Sequence, residues 1–430
     1  MPKIIKNTLL NYIPTYFEIE SADIINPARI FGVNNKPIKS GKVIYLCERE
    51  IRAKDNFALQ FAIQKSKEFN LPLKVIHPKI NYDILNKQNF LDNQIKQTQN
   101  LFSVLNIDFK ITENKPYKII NSLNPAMLII DFNPILKRDY LKKINCKIYE
   151  IDGHNIIPAR YISDKQEYSA ATMRRKIYYN IYPFLTEFDN MTLEKVEADL
   201  VLDDFIRHKL PYYSKLKSDP SANVLSGLSK YLNLGFISSQ RVALEVIKSN
   251  VSDIDKEAFL EELIIRKELS DNFCFYTKNF KDFSEIPNWA KISLKLHKYD
   301  IRSYVYSIEE LENANTHDRL WNATQIELLN NGTIHGYLRM YWAKKIMEWT
   351  QSPIQALKLA IYLNDKYAYD APSSNGYGGI LWAIGGLHDR AFTDYPVTGK
   401  IRRMTYDSIR KKYDLNNYIS KYNFDFKPKE

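Results

Sequence analysis

A change of grammar near the middle of the chain does most to limit what it can fold into. Up to residue 151, short apolar runs alternate with helical segments: VIYLC at 43–47, a helix over 55–69, LKVIH at 73–77, a helix over 88–105, MLIID at 127–131 and KIYEI at 147–151. Strands separated by helix-length segments call for parallel pairing with crossover helices, so this half is predicted to be an α/β domain with a Rossmann-like parallel sheet. From about residue 195 the strand signals stop. Long helical stretches take over at 255–271, 320–330, 334–350 and 353–363, with Asn331-Gly332 ending one helix, Thr333 placed to cap the next and Ser352-Pro353 opening another. The reading is an α/β domain over 1–175, a linker over 176–200 and an all-α domain over 201–430. The polar, Pro-containing segment at 150–185 is expected to run over the surface.

Glycine placement limits what the α/β half can bind. Of 13 glycines only Gly32, Gly41 and Gly153 precede residue 200, so neither a G-x-G-x-x-G turn nor a P-loop is present to cradle phosphates there. A chain of 430 residues with 45% hydrophobic and 26% charged residues is long enough for two or three domains with real cores. The 61 Lys plus Arg against 50 Asp plus Glu leave a net charge of +11, which favours polyanions but is too diffuse to mark a surface.

Cys47, Cys146 and Cys274 are too scattered for a disulfide framework and too few for a four-thiolate cluster. No His/Cys spacing suits zinc, so a reducing compartment and no metal are expected. No apolar run reaches the ~18 residues of a membrane span, and the N-terminus MPKIIKNTLLNYIP lacks a leader-like apolar region. The expectation is an intracellular protein, cytoplasmic or nuclear in a eukaryote, with no membrane and no obligate protein partner, and monomeric.

Three of the five tryptophans, Trp321, Trp342 and Trp349, fall within 29 positions. The last two are seven residues apart in a helical segment, which turns them to one face with a rise of ~10.5 Å, a spacing an electron can cross. Large aromatics at such spacing also serve as core packing. Their neighbours decide between the two.

Those neighbours belong to a set of blocks running nearly the whole chain in order: DNFALQFAI at 55, DGHNIIPARYISDKQEYSAATMRRKI at 152, LSGLSKYLNLGFISSQRVALE at 225, EELIIRKELSDNFCFY at 261, THDRLWNATQ at 316, GTIHGYLRMYWAKKIMEW at 332, LNDKY at 363, NGYGGILWAIGGLHDR at 375 and GKIRRM at 399. On these blocks the chain resembles the class II cyclobutane pyrimidine dimer photolyases of the photolyase and cryptochrome family. The resemblance implies an N-terminal α/β antenna domain, with a second chromophore whose identity no motif here names. It also implies a C-terminal helical domain holding FAD, active when fully reduced, which passes an electron on excitation to a pyrimidine dimer flipped out of UV-damaged DNA.

Roles follow from the same resemblance. Tyr213, Ser226, Gly227, Leu228 and Ser229 are expected at the FAD, where a Ser-rich turn opening a helix offers hydroxyls and free N–H groups to a pyrophosphate. Arg339, Trp342, Asn364 and Asp370 complete the cofactor set. Arg339 would favour anionic reduced flavin, and the Asn364 amide can donate or accept as the redox state changes. Glu262, Met340 and Trp382, with Asn364, are the expected catalytic residues: a carboxyl group to stabilise charge arriving on a pyrimidine carbonyl, and a thioether and an indole against the two extruded bases. The photoreduction order is Trp342, Trp321, then Trp349 toward solvent. Arg402, Lys344 and Trp382 are expected at the DNA, with Lys345 beside them as a second phosphate contact.

Departures cluster where ligands would touch. The family's Arg-Asn-Asp-Pro is Lys217-Ser218-Asp219-Pro220, its Gly-Arg-Asp-Pro before Asn-Gly-Tyr is Ala371-Pro372-Ser373-Ser374, and Thr398 and Arg403 replace Phe and Tyr around Gly399-Lys400-Ile401-Arg402. Arg to Lys loses a planar fork. The alternatives are a cryptochrome-like flavin photoreceptor without repair activity, disfavoured by the short stretch after GKIRRM, and a basic nucleic-acid-binding protein without cofactor.

Overall fold

A computed structural model of the chain describes residues 8–14, 19, 25–113, 116–188 and 193–422. Residues 1–7 of the N-terminal stretch read for a leader, residues 189–192 of the expected linker and residues 423–430 of the helical half lie outside the described residues.

Six strands, β1 (Ile30–Gly32), β2 (Lys42–Leu46), β3 (Leu73–Pro78), β4 (Asp108–Thr112), β5 (Pro125–Asp131) and β6 (Lys147–Ile151), form one sheet in the order β1-β6-β5-β2-β3-β4. All neighbours pair in parallel except β1, which runs antiparallel to β6. The α/β expectation therefore describes the first half. All seven residues of β5 are buried, as the middle strand of a two-sided sheet requires, and its unbroken PAMLIID run is the sequence signature of that position. The two strands absent from the sequence reading are at the edges. β1 is only three residues long, and β4 (DFKIT) alternates exposed and half-buried positions with two charges. Helices α1 (Phe57–Glu68) and α2 (Leu85–Val104) make crossovers; Asn56 caps α1 by accepting the Leu59 N–H.

In the second half, α3 (Asp253–Leu260) and α4 (Lys267–Tyr276) join through a wider π turn over Glu261–Arg266 into one rod. Later in the chain come α5 (Arg319–Asn331), α6 (Gly336–Glu348) and α7 (Pro353–Tyr367). The glycine-dense stretch after them folds as α8 (Ser374–Gly385), which lies close against α4 because a Cβ on Gly378 would come within 3.1 Å of Ser270 Oγ. Gly332 ends α5, and Ser352 caps α7 by accepting the Gln355 N–H. Thr333 does not cap α6. That helix starts three residues later, at Gly336, after His335, and Thr333 and His335 face a cavity instead.

The expectation that 150–185 runs over the surface is overturned. Asp152, His154, Asn155, Ile156, Ile157 and Ala159 are all buried. Polar backbone can be buried only where every group is satisfied, and Arg29, 123 residues away from Asp152, does this. Its guanidinium donates to the carbonyls of Asp152, Asn155 and Ile156, while the Asp152 carboxylate accepts the N–H groups of Asn155 and Ala159. Further on, Ile177, Ile181, Phe184 and Phe188 enter the same apolar core as α1 and as Leu202, Phe205 and Leu260 of the helical half, so one core runs through this region.

The two halves meet at the carboxyl ends of the parallel strands, where open α/β sheets commonly place ligands. Asp131, at the end of β5, takes the Tyr45 hydroxyl at 2.6 Å and the successive N–H groups of Glu48, Arg49 and Glu50 at 2.8–3.0 Å. This fixes the loop after β2 so that Arg49 reaches Asp271 of α4 at 2.8 Å. Gly235, at φ +72°, lies on that loop; a Cβ there would be 2.0 Å from the Arg49 carbonyl oxygen.

Candidate active site

Two adjoining cavities open beside this junction, of about 480 Å³ and 180 Å³. Tyr213, Ser226, Ser229 and Asp370 line both, so they form the shared wall. The larger one adds Gly227, His335 and Arg339. The smaller adds Glu262, Arg49, His154, Lys267 and Asp271. The structure thus brings together seven of the residues read from sequence: Tyr213, Ser226, Gly227, Ser229, Glu262, Arg339 and Asp370.

Arg339 dominates the larger cavity. Its guanidinium grips Asp370 bidentately, Nη1 to Oδ2 at 2.9 Å and Nη2 to Oδ1 at 3.0 Å, and Nη2 also donates to Asn364 Oδ1. Burial works to raise the Asp370 carboxyl, but the Arg339 charge outweighs it and holds the group below the usual carboxylate range. Asn364 is buried and reaches the site through Arg339; its Nδ2 donates to Asp365 at 3.2 Å. His335 offers two ring nitrogens with no hydrogen-bond partner in the described protein, the ring only approaching the Asp219 carbonyl. Burial lowers this imidazole to about 4. Hydroxyls from Ser226 and Ser229, a fixed guanidinium and free imidazole nitrogens are a donor set for an elongated anionic ligand.

In the smaller cavity Glu262 is half exposed and accepts from Lys217 Nζ at 2.9 Å. Lys217 stands where the family motif has arginine, so the departure puts a single-point cation on the expected catalytic carboxylate in place of a fork. Burial and the Glu262 charge together push the Tyr213 phenol well up, so it stays a neutral donor. On the far wall, burial favours a neutral Asp271, but Arg49 and Lys267 reverse this and lower the carboxyl. Lys267 Nζ donates to the His154 carbonyl at 2.8 Å and to Asn155 Oδ1 at 3.1 Å. Sequence reading singled out none of Arg49, His154, Lys267 and Asp271. The signal available was the charge-dense CEREIRAKD immediately after an apolar strand, and the polar positions inside the 152 and 261 blocks.

Several expected residues lie elsewhere. Leu228 is fully buried and lines neither cavity, and its N–H is taken by Ser226 Oγ at 3.3 Å, so it is not available to a ligand. Trp342 also lies off the cavity walls; it is three residues from Arg339 on α6, hence next to it on the helix surface. Met340 is half-buried against the helical core. Lys344 is not at a phosphate: it is 3% exposed, donates to the Ala383 carbonyl at 2.9 Å and lies 4.5 Å from the Trp382 ring centroid. Desolvation brings its amine down to about 7. Lys345 is likewise engaged, with Glu348 at 2.5 Å. Arg402 is exposed, pairs with Asp389 at 3.1 Å and lies 5.9 Å from the Trp382 ring.

The three tryptophans are packed in a row. Trp321 Nε1 donates to the Trp342 carbonyl at 3.0 Å, Trp342 Nε1 donates to Gln325 Oε1 at 2.8 Å, and the Trp321 and Trp349 rings are 5.6 Å apart at 71°. Trp349 closes α6 as its C-terminal cap residue, its N–H still bonded to the Lys345 carbonyl at 3.0 Å. It does not face solvent, being only 4% exposed. All three cysteines are buried and unbridged. Among the described residues no cluster of His, Cys, Asp or Glu is placed to hold a metal ion, and no helix is long and apolar enough to cross a membrane.

No family model matches the chain. Individual relatives do. It is 34% identical over 433 residues to the deoxyribodipyrimidine photo-lyase of Potorous tridactylus, covering 89% of this chain and 81% of the relative. The enzyme of that name from Oryza sativa subsp. japonica is 34% identical over 440 residues, covering 88% and 87%. The one from Methanothermobacter thermautotrophicus is 30% identical over 444 residues, covering 93% and 98%. Two solved structures share the fold at low identity: a bacterial class III photolyase from Agrobacterium tumefaciens (TM-score 0.68, 15% identical, 90% of this chain and 87% of that one) and a Synechocystis sp. PCC6803 cryptochrome (0.68, 14%, 91% and 89%). At near-full coverage of both partners and identity of up to 34%, the blocks read from the sequence are parts of one continuous relationship, and the chain belongs to the deoxyribodipyrimidine photo-lyase family.

Proposed function

We propose that this chain repairs cyclobutane pyrimidine dimers in UV-damaged DNA by a light-driven reaction, using reduced FAD held in the paired cavities. The observation that carries this is the convergence of Arg339, Asp370, Ser226, Ser229, Tyr213 and Glu262 on two adjoining cavities that share a wall, in a chain whose relatives are named for the reaction. When bound, excited reduced FAD would supply the electron that opens the cyclobutane ring and take it back afterwards.

The protein's part is positioning and electrostatics. The serine hydroxyls and the His335 nitrogens suit the phosphate-bearing stretch of the cofactor. Arg339, compensated by Asp370, sets a fixed positive charge beside a ring system that gains negative charge on reduction. Asn364, oriented by Arg339, presents a side-chain amide whose remaining hydrogen-bonding capacity is available as the ring changes redox state. On the lesion side Glu262, tied to Lys217, would meet charge arriving on a pyrimidine carbonyl. Trp382 offers an indole face to an extruded base, with Arg402 beside it where the strand backbone passes. The row Trp342–Trp321–Trp349 is proposed as the path that recharges oxidised flavin, separate from repair. The protein acts as a monomer wherever the DNA is, in cytoplasm or nucleus, and a second light-harvesting chromophore would belong to the α/β half.

The test separates repair from flavin photochemistry. Reduced, flavin-loaded protein under blue light should return thymine-dimer DNA to unmodified thymines, and Glu262→Ala should slow splitting more than it weakens binding. A cryptochrome-like receptor would photoreduce its flavin normally and restore no thymines.

A further inference from the structure

The chain after α8 folds back on itself as a hairpin over 390–403 with four exposed cations, Arg390, Lys400, Arg402 and Arg403. The Phe392 N–H donates to the Lys400 carbonyl at 2.9 Å, and Tyr395 and Gly399 exchange N–H bonds at 3.1 and 2.8 Å. Guanidiniums cover its aromatic rings, Arg402 at 4.3 Å and Arg390 at 5.2 Å from Phe392, and Arg403 at 4.5 Å from Tyr395. Cations interleaved with aromatics suit a nucleic-acid backbone and its bases. Arg402 also lies beside Trp382, so the shape of the hairpin decides how the two are set against each other.

That shape is strained and held from outside. Val397, at the turn, is β-branched yet has φ +67°, a left-handed conformation that persists only where the surroundings impose it. The helix Asn288–Leu296 and the turn after it supply the imposing groups. Asp300 Oδ2 accepts the Val397 N–H at 2.8 Å and lies 2.5 Å from His297 Nδ1, while His297 Nε2 lies 3.1 Å from Asp394 Oδ1 on the hairpin. Ser293 Oγ accepts the Lys400 N–H at 2.8 Å. A Cβ on Gly399 would sit 2.2 Å from that oxygen and 3.2 Å from His297 Cδ2, so the hairpin is seated directly on these two side chains. Both His297 nitrogens face carboxylate oxygens, and only an imidazolium donates to both at once. The bonds to Asp300 and then Asp394 hold the imidazole above its ordinary value, against slight desolvation. Asp300 is in turn held below the usual carboxylate range by the Val397 N–H and by His297, with Arg302 nearby. The charged bridge is therefore complete below about pH 6.5 and is lost as pH rises through the raised histidine value.

We propose that His297, as an imidazolium bridging Asp300 and Asp394, is the latch that keeps the strained hairpin in the shape that grips damaged DNA. It is a positioning residue, acting through the strand that carries Arg402. When the imidazole is neutral, one nitrogen no longer donates, one aspartate is released, and the hold on the Val397 turn and on Gly399, Lys400 and Arg402 loosens. Attraction to phosphates depends on charge and survives this change, whereas the fit around an extruded dimer depends on shape. The latch therefore acts on the preference for damaged over undamaged duplex. This rests on the reading that the chain repairs dimers in DNA.

The test is binding in the dark, at fixed salt and from about pH 6 to about pH 9, of flavin-loaded protein to a labelled duplex with and without one thymine dimer. Wild type, His297→Gln, His297→Arg and Asp394→Ala are compared, and thymine restoration in light is measured on the same samples. The ratio of the two wild-type affinities should fall as pH rises. At the acid end His297→Gln and Asp394→Ala should lower it roughly three- to tenfold, the worth of a charge-assisted hydrogen bond discounted for exposure. His297→Arg carries a permanent cation and should keep the ratio high across the range. Lys344, at about 7 beneath Trp382, titrates in the same window, so only the slope that differs between wild type and His297→Gln belongs to the latch. If a substitution at His297 misfolds, Asp394→Ala decides, because that side chain is 48% exposed on the hairpin. A wild type that prefers dimer duplex and restores thymines, with ratio and slope matched by His297→Gln and Asp394→Ala, overturns the latch and leaves the repair reading standing. A flavin-loaded wild type with neither preference nor restoration overturns both.

Discussion

Removing the charge partner of Arg339 gives the most quantitative test of the site. Arg339 and Asp370 form a bidentate pair whose side chains are 25% and 14% exposed, facing the cavity. Breaking one partner of a buried pair costs about 3–5 kcal/mol, because the survivor is left charged and uncompensated; water in the cavity puts the expected cost toward the lower end, about 3 kcal/mol. Asp370→Asn and Arg339→Met should each show that loss in urea unfolding of flavin-free protein, where no ligand binding adds to the measured stability. The double variant removes both charges and should be less destabilised than the sum of the singles, by about 2 kcal/mol. It should not regain flavin affinity, since the guanidinium that orients Asn364 is gone. Costs that add to within about 0.5 kcal/mol would refute the reasoning, because independent residues behave that way.

Other expectations follow from single observations. Trp342→Phe should abolish flavin photoreduction while repair by chemically reduced protein persists, seen by comparing illumination with and without prior reduction. His335, lowered to about 4 by burial, binds no proton that the unfolded chain would bind below about 6.5; stability should therefore fall as pH drops from 6.5 toward 4, by about 2 kcal/mol at pH 5, and His335→Gln should flatten that slope in pH-dependent unfolding. Lys344→Met should raise the unfolding midpoint and leave the salt dependence of DNA affinity unchanged, whereas a true phosphate contact would lower that slope by about 1. Gly235→Ala should destabilise by at least 1–3 kcal/mol in thermal unfolding, because it adds left-handed strain to a Cβ set 2.0 Å from the Arg49 carbonyl.

The sequence announced some elements clearly and hid others for identifiable reasons. β2 and β5 could be read because central parallel strands carry nearly unbroken apolar runs, and β3 and β6 because enough apolar positions remain between their charges, whereas β1 and β4 sit at the sheet edges, where polarity or brevity erases the pattern. Four glycines conceal α8 from a propensity reading, although at Gly378 the missing side chain is what admits α4. The burial of 152–159 depends on Arg29, and no local pattern reveals a partner so far away in the chain.

At the site, Tyr213, Ser226, Ser229, Glu262, Arg339 and Asp370 were legible through family motifs and do line the two adjoining cavities. Arg49 and Asp271 were not, because their meeting is created by the docking of the two halves through Asp131. Lys344 and Trp349 show the same limit from the other side. Residue type for Lys344 and the family's photoreduction order for Trp349 suggested a solvent-facing role, and tertiary packing buried both.

The central claim is that the paired cavities serve light-driven repair of DNA. Its most direct measurement is the yield of unmodified thymines from a defined thymine-dimer duplex, after blue light is given to protein carrying a full complement of reduced flavin, against the same mixture in the dark. Restoration should be catalytic and light-dependent, saturate with substrate and be slowed in Glu262→Ala. Full flavin occupancy with no more thymine restored in light than in darkness would contradict it.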